Sequence, residues 1–245
     1  MIKLTLPPKP EKLIENEAAL TAEFKADNKK SVWHKDYIIN PLLEMTCNKC
    51  AYSEVRLNEE SKYMEVEHFK HKNSYPDDVV KWGNLLPSCK TCNDTKGTWD
   101  VVADPIVNPI VDTPRDHLYI NACRFGYKDE KGKNTIDAVA LNDTDNIMVP
   151  RFRVVCYTMD NIKDRFDLLK AASTLKEVNI RLRKLKNSIA QCGPEYPYSA
   201  ACATHLLYEW DEFPIIRDYL ENKGLWDDDF RQLISKLESI ALPKM

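Results

Sequence analysis

Two Cys-x-x-Cys pairs, Cys47-Asn-Lys-Cys50 and Cys89-Lys-Thr-Cys92, lie about forty residues apart. If both close on one ion, two distant turns of the chain must meet, which constrains the fold more than any other feature. Each pair can offer two thiolates to one tetrahedral Zn²⁺, and four protein ligands leave no open position, so a closed structural site is expected. The other use for eight cysteines is a disulfide framework. The stretch MIKLTLPPKPEKLIENE has no apolar core of an export signal, so a reduced, cytoplasmic setting is expected, where clustered Cys pairs read as metal ligands. Cys123, Cys156, Cys192 and Cys202 are scattered and read as small buried hydrophobes. No apolar run approaches the roughly 18 residues of a membrane span, so no membrane partner is expected.

The hydrophobic content, 43% of 245 residues, supports a sizeable core. Three segments are expected: an extended and helical stretch over 1–45, a ligand-rich core with an extended connector over 46–150, and a helical region over 151–245. Pro105, Pro109 and Pro114 forbid a long helix over 101–125, where short strands fit better. From about residue 158 the apolar period becomes three to four, through Ile162, Phe166 and Leu169 to Leu182, Leu185 and Ile189. That predicts a helix pair or one bent helix, ended by Gly193-Pro194. Further helices are expected over 199–210, 212–222 and 228–240, with Gly224 as a stop and Asp227 as an N-cap. The fold class is α+β.

Between and around the Cys pairs the chain carries MEVEHF and NLLPSCKTCNDTKG. Met64 and Val66 give the first a strand pattern. Neighbours on a strand face opposite ways, so Glu67 and His68 can share a site only if the strand ends or bulges there. Asn84 precedes a short apolar strand and in isolation reads as a turn residue. Asn93 opens a short helix closed by Gly97, with Lys96 one turn further on. His34, His117 and His205 are isolated, and His71 reads as a substrate-side or surface residue.

The order Glu67-His68, then Asn84 sixteen residues on, then Asn93 nine further, with cysteines around it, resembles the HNH, or ββα-metal, nuclease motif. KCAYSE, VEHFKHK, KWGNLL, CKTCNDTKG and NPIVDTPRDHLYI, in that order over roughly residues 30–150, resemble the PtuB nucleases of Septu and retron-associated anti-phage systems. The resemblance implies a ββα-metal core flanked by a helical C-terminal region, and a metal-dependent endonuclease. It implies His68 as general base, Glu67 and Asn93 as ligands of one Mg²⁺ or Mn²⁺, and Asn84 as the residue holding His68 in register. Lys96 is expected to touch a phosphate. A neutral imidazole suits the first role, and oxygen ligands suit a hard divalent ion. The resemblance also implies a PtuA-type ATPase as partner.

The family usually reads Cys-x-Tyr-Cys-Glu where this chain has Cys50-Ala51-Tyr52-Ser53-Glu54. Cys47 is the expected replacement for the cysteine absent at Ser53. A site of three cysteines with water or a weak fourth ligand, and no zinc at all, are the alternatives. The net charge of −3 argues against nucleic-acid binding over the whole surface. Residues 151–190 nevertheless carry ten Lys and Arg against four acids, and 195–245 carry five against ten. A basic face at Arg181, Arg183, Lys184 and Lys186 is expected to meet DNA or RNA, which the motif does not distinguish. The competing readings are a stand-alone restriction-type HNH nuclease and a non-catalytic zinc-ribbon adaptor. The adaptor has no need of Glu67, His68, Asn84 and Asn93 together.

Overall fold

In the computed structural model, which describes residues 1–59 and 63–244, the first helix begins where Pro10 places it. The Pro10 carbonyl accepts the N–H groups of Leu13 and Ile14 at 2.9 and 3.0 Å, opening α1 (Glu11–Ala26). Leu13, Leu20 and Phe24 recur on its buried face. α2 (Asp36–Met45) buries Ile38 and Leu42. These side chains form one cluster with Val32, Val79, Val80, Trp82 and Leu85, and Met64 and Val66 pack against it. Each fully buried Leu or Ile here is worth about 1.5–3 kcal/mol over leaving it in water.

Met64 and Val66 belong to β1 (Met64–His68), and their alternation turns one face of the strand to the cluster and Glu65 and Glu67 to the other. β1 pairs antiparallel with β2 (Leu85–Cys89), with His68 opposite Leu85 and Met64 opposite Cys89. β2 runs directly into α3 (Lys90–Lys96). Gly97 takes φ +46° there and returns its N–H to Asn93 O, a left-handed cap that suits glycine. Downstream come the turn-length α4 (Pro114–His117) and a hairpin of β3 (Leu118–Asn121) and β4 (Arg124–Tyr127). Ala122 and Cys123, between the two strands, both take positive φ, as a two-residue hairpin turn demands. α5 (Glu130–Ala138) is capped by Asp129 Oδ1, which accepts from Gly132 N at 2.8 Å.

The rest is helical: α6 (Val149–Lys170), α7 (Leu175–Ala190), α8 (Ser199–Thr204), α9 (Glu212–Asn222) and α10 (Asp228–Ile240). Thr174 and Glu177 close a capping box at the start of α7, and Asp227 accepts from Phe230 N at the start of α10. Gly224 ends its helix at φ +65°. Two findings depart from the periodicity. α6 starts nine residues before 158, because Pro150 sits in its first turn, where a missing N–H costs nothing. α5 has almost no apolar period and was not foreseen. Contacts divide the chain into Met1–Leu118 with Gly126–Asp143, and Tyr119–Phe125 with Thr144–Met245. α1 and α2 therefore fold within the unit that holds both Cys pairs. No helix among the described residues is long and apolar enough to cross a membrane.

Candidate functional site

β1 ends at His68, so Glu67 and His68 line one cavity of about 670 Å³ with Trp33, Glu65, His71, Lys72 and Asn93. The imidazole is oriented from two sides, by Val79 O and by Trp33. His68 Nε2 lies 2.9 Å from Val79 O, and a carbonyl only accepts, so Nε2 carries the proton and Nδ1 the lone pair. Trp33 meets the ring edge-on, with centroids 4.5 Å apart at 82°, and Lys72 Nζ lies 5.2 Å from the Trp33 centroid. Burial, then the Lys72 charge, bring the His68 pKa down to about 3, against the opposing effect of the Val79 hydrogen bond. The ring is therefore neutral throughout the physiological range.

Asn84 secures the loop that carries Val79. Its Oδ1 accepts from Lys70 N at 2.7 Å, and its Nδ2 donates to Lys70 O at 3.1 Å and to Asp78 O at 3.0 Å. Its backbone carbonyl accepts from Phe69 N at 2.9 Å. One amide thus ties both ends of the loop between β1 and β2 and fixes the carbonyl that holds His68.

β1 and α3 are joined by two rungs. Glu65 Oε2 accepts from Asn93 Nδ2 at 2.5 Å, and Glu67 Oε1 lies 2.6 Å from Lys96 Nζ. Lys96 also donates to His68 O at 2.9 Å, so one ammonium bridges the Glu67 carboxylate and the end of β1. Burial pushes the Glu67 pKa up to about 7, although the Lys96 charge pulls the other way. Lys96 is 2% exposed and turned away from solvent, which corrects the expectation that it touches a phosphate. Its spacing on α3 matched a phosphate contact, but the same helix face that buries Cys92 also buries Lys96.

Cys50, Cys89 and Cys92 form one buried group whose sulfurs all lie within 4.8 Å of one another, and they could hold a metal ion. Sulfurs on a tetrahedral ion at 2.3 Å would be roughly 3.8 Å apart, so the spacing is suitable. A tight turn makes the group: Cys50 N donates to Val55 O, Glu54 N to Cys50 O, and Glu54 takes φ +62°. That turn brings Ser53 Oγ to 3.6 Å from Cys89 Sγ. Burial opposes ionisation of Cys50, but hydrogen bonds from Cys89, Cys92 and Ser53 outweigh it and hold this thiol well below its ordinary value. Burial, then the contacts with Cys50 and Cys89, push Cys92 up. Cys47 lies outside the group, which corrects its expected role as a ligand. It precedes the turn at φ +54°, half-buried, with its carbonyl accepting from Arg56 Nη1 at 2.9 Å.

No family model matches the chain. A Septu protein PtuB from Bacillus thuringiensis is 41% identical over 244 residues, covering 97% of this chain and 94% of that one. This chain belongs to the PtuB family. A second Septu protein PtuB, from Bacillus mycoides (strain KBAB4), is 26% identical over 267 residues, covering 93% and 88% of the two chains. The PtuB likeness spans both units, including the helical one, where the sequence offers no motif. In that unit of this PtuB chain the basic candidates split. Lys186 Nζ lies 2.7 and 2.6 Å from the two Asp227 carboxylate oxygens and 3.1 Å from Asp229. Arg181 donates to Leu168 O at 2.5 Å and faces Glu177. Both have partners within the fold, and both side chains stay partly exposed. Arg183 and Lys184 are exposed. Of the cavity residues, sequence reasoning missed Trp33, Glu65 and Lys72. Only Glu65 left a signal, since alternation on β1 puts it on the Glu67 face.

Proposed function

We propose that this PtuB chain is a metal-dependent HNH endonuclease of anti-phage defence, working with a PtuA-type ATPase. One observation carries the reading: a two-stranded hairpin and the helix that follows place Glu67, His68 and Asn93 on one cavity. The residues fit a hard divalent ion. Glu67 is a buried carboxylate on the cavity wall, and burial withholds the charge that a cation would restore. Glu67 and an amide oxygen of Asn93 would hold Mg²⁺ or Mn²⁺, with water and phosphate oxygens completing the shell. A bound ion would neutralise charge on the phosphate and on the leaving oxygen.

His68 takes the proton of the attacking water at Nδ1, because Nε2 is committed to Val79 O. The Asn84-braced loop and the Trp33 ring keep that lone pair aimed. Lys96 neutralises part of the Glu67 charge and pins the end of β1. Cys50, Cys89 and Cys92 would hold a separate structural Zn²⁺ with Ser53 beside the fourth position, since soft sulfur and hard oxygen donors select different metals.

The test is cleavage of DNA and RNA by purified protein with Mg²⁺, with and without the ATPase. His68→Ala is expected to lower the rate about 10²–10⁴-fold while leaving the circular dichroism unchanged. An unchanged rate in that variant would overturn the assignment. Failure to recover a complex on co-expression would leave a stand-alone nuclease as the better reading.

A further inference from the structure

We propose that Glu65 is a positioning residue: its carboxylate locks the Asn93 side-chain amide so that Oδ1, and not Nδ2, is presented to the divalent cation. The inference rests on the reading of Glu67 and Asn93 as cation ligands and adds a residue to that site.

An asparagine amide has two nearly isosteric ends of opposite electrostatic sense. Only the oxygen can ligate a cation, while the NH₂ end repels one. In a half-buried position such as that of Asn93, something must choose the end. Glu65 Oε2 lies 2.5 Å from the amide, and an ionised carboxylate can only accept. The amide nitrogen is therefore the atom facing Glu65, and Oδ1 is left for the cavity that both residues line. The contact is charge-assisted, which makes it short and strong for a hydrogen bond.

The geometry is built into the elements. Glu65 and Glu67 are two residues apart on one face of β1, and Asn93 and Lys96 are one turn apart on α3. Both side-chain pairs meet in register, so the strand and the helix face each other through a Glu65–Asn93 rung and a Glu67–Lys96 rung. The second rung joins two charged groups and needs no orientation of an amide. The first joins a carboxylate to an amide whose orientation decides whether a cation is attracted or repelled.

The experiment is Mn²⁺ binding to the full chain by isothermal titration calorimetry, for the wild type, Glu65→Ala, Glu65→Gln and Glu67→Ala, with circular dichroism to confirm the fold. Glu65→Ala should weaken Mn²⁺ binding by about 10–100-fold, the usual effect of removing a group that orients a ligand. Glu65→Gln keeps an oxygen that accepts from Asn93, so it should restore most of the affinity that Glu65→Ala loses. Saturating Mn²⁺ should recover cleavage in Glu65→Ala, which a general loss of structure would not allow. Wild-type Mn²⁺ affinity in Glu65→Ala overturns the inference. So does a Glu65→Gln protein as weak as Glu65→Ala, because that outcome makes Glu65 a direct ligand through its charge. A wild-type chain that takes up no Mn²⁺, or a Glu67→Ala chain that binds it normally, overturns the cation reading itself, and the inference falls with it.

Discussion

Cys47 and Ser53 show that a Cys-x-x-Cys spacing is not yet a pair of ligands. The spacing is met by Cys47 and Cys50, but the turn that aims a sulfur inward begins at Cys50 and reaches Ser53 three residues later. Cys89→Ser removes one donor of the proposed metal site and is therefore expected to lower both metal content and melting temperature. Cys47→Ser should leave metal content and melting temperature as they are. Ser53→Cys supplies a thiolate where a hydroxyl now lies beside Cys89, and it should tighten metal binding. A gain of 1 kcal/mol would raise Tm by about 2–4 °C in a chain of this size. Plasma mass spectrometry and a thermal melt on the three variants check all of this, and metal loss in Cys47→Ser would restore the rejected ligand set. Lys96 makes a related point. Its position on α3 could be read from spacing, but burial was decided by how the helix sits on β1, and that depends on residues far away in the chain.

At the scale of elements, α5 illustrates what close approach requires. A Cβ on Gly132 would fall against the carbonyl oxygen and carbon of His117 and the Cβ of Tyr127. Gly132→Ala is expected to cost about 1–3 kcal/mol, the range for overpacking a filled site, and to lower the urea midpoint accordingly. An unchanged midpoint would show that the start of α5 can move away from His117. The same helix shows the limit of reading elements from sequence. EKGKNTIDA buries only Gly132, Thr135 and Ala138, so it has no apolar stripe, and its one clear signal is the Asp129 cap. α7 and α10 were legible because their apolar residues recur with the helical period and their caps are strong. The juxtaposition of Glu67, His68 and Asn93 was legible because a hairpin and the next helix are local structure. Trp33 was not, because it reaches His68 only through the packing of the N-terminal helices on β1.

The charge of the whole molecule is arranged differently from its distribution along the chain. The run of basic residues from 151 to 190 suggested a broad cationic face, but Arg181 and Lys186 are held by Leu168 O and by Asp227 and Asp229. The exposed cations between Arg181 and Lys186 on α7 are Arg183 and Lys184. Reversing both to Glu should weaken nucleic-acid binding and reduce the slope of log affinity against log salt by up to about 2, since each lost phosphate contact removes about 0.9 on duplex DNA. Lys186→Gln should lower stability and leave that slope alone. Filter binding across a salt series distinguishes the two, and an unchanged slope in the double reversal would place the phosphate contacts elsewhere. The other feature that acts on the whole molecule is the adjacency of Cys92 and Asn93 on a helix of seven residues. A thiol and an amide that follow one another on so short an element cannot move independently. A shift of α3 that follows loss of a ligand at Cys92 would carry Asn93 away from Glu65, so damage at the buried sulfurs is expected to be read at the cavity.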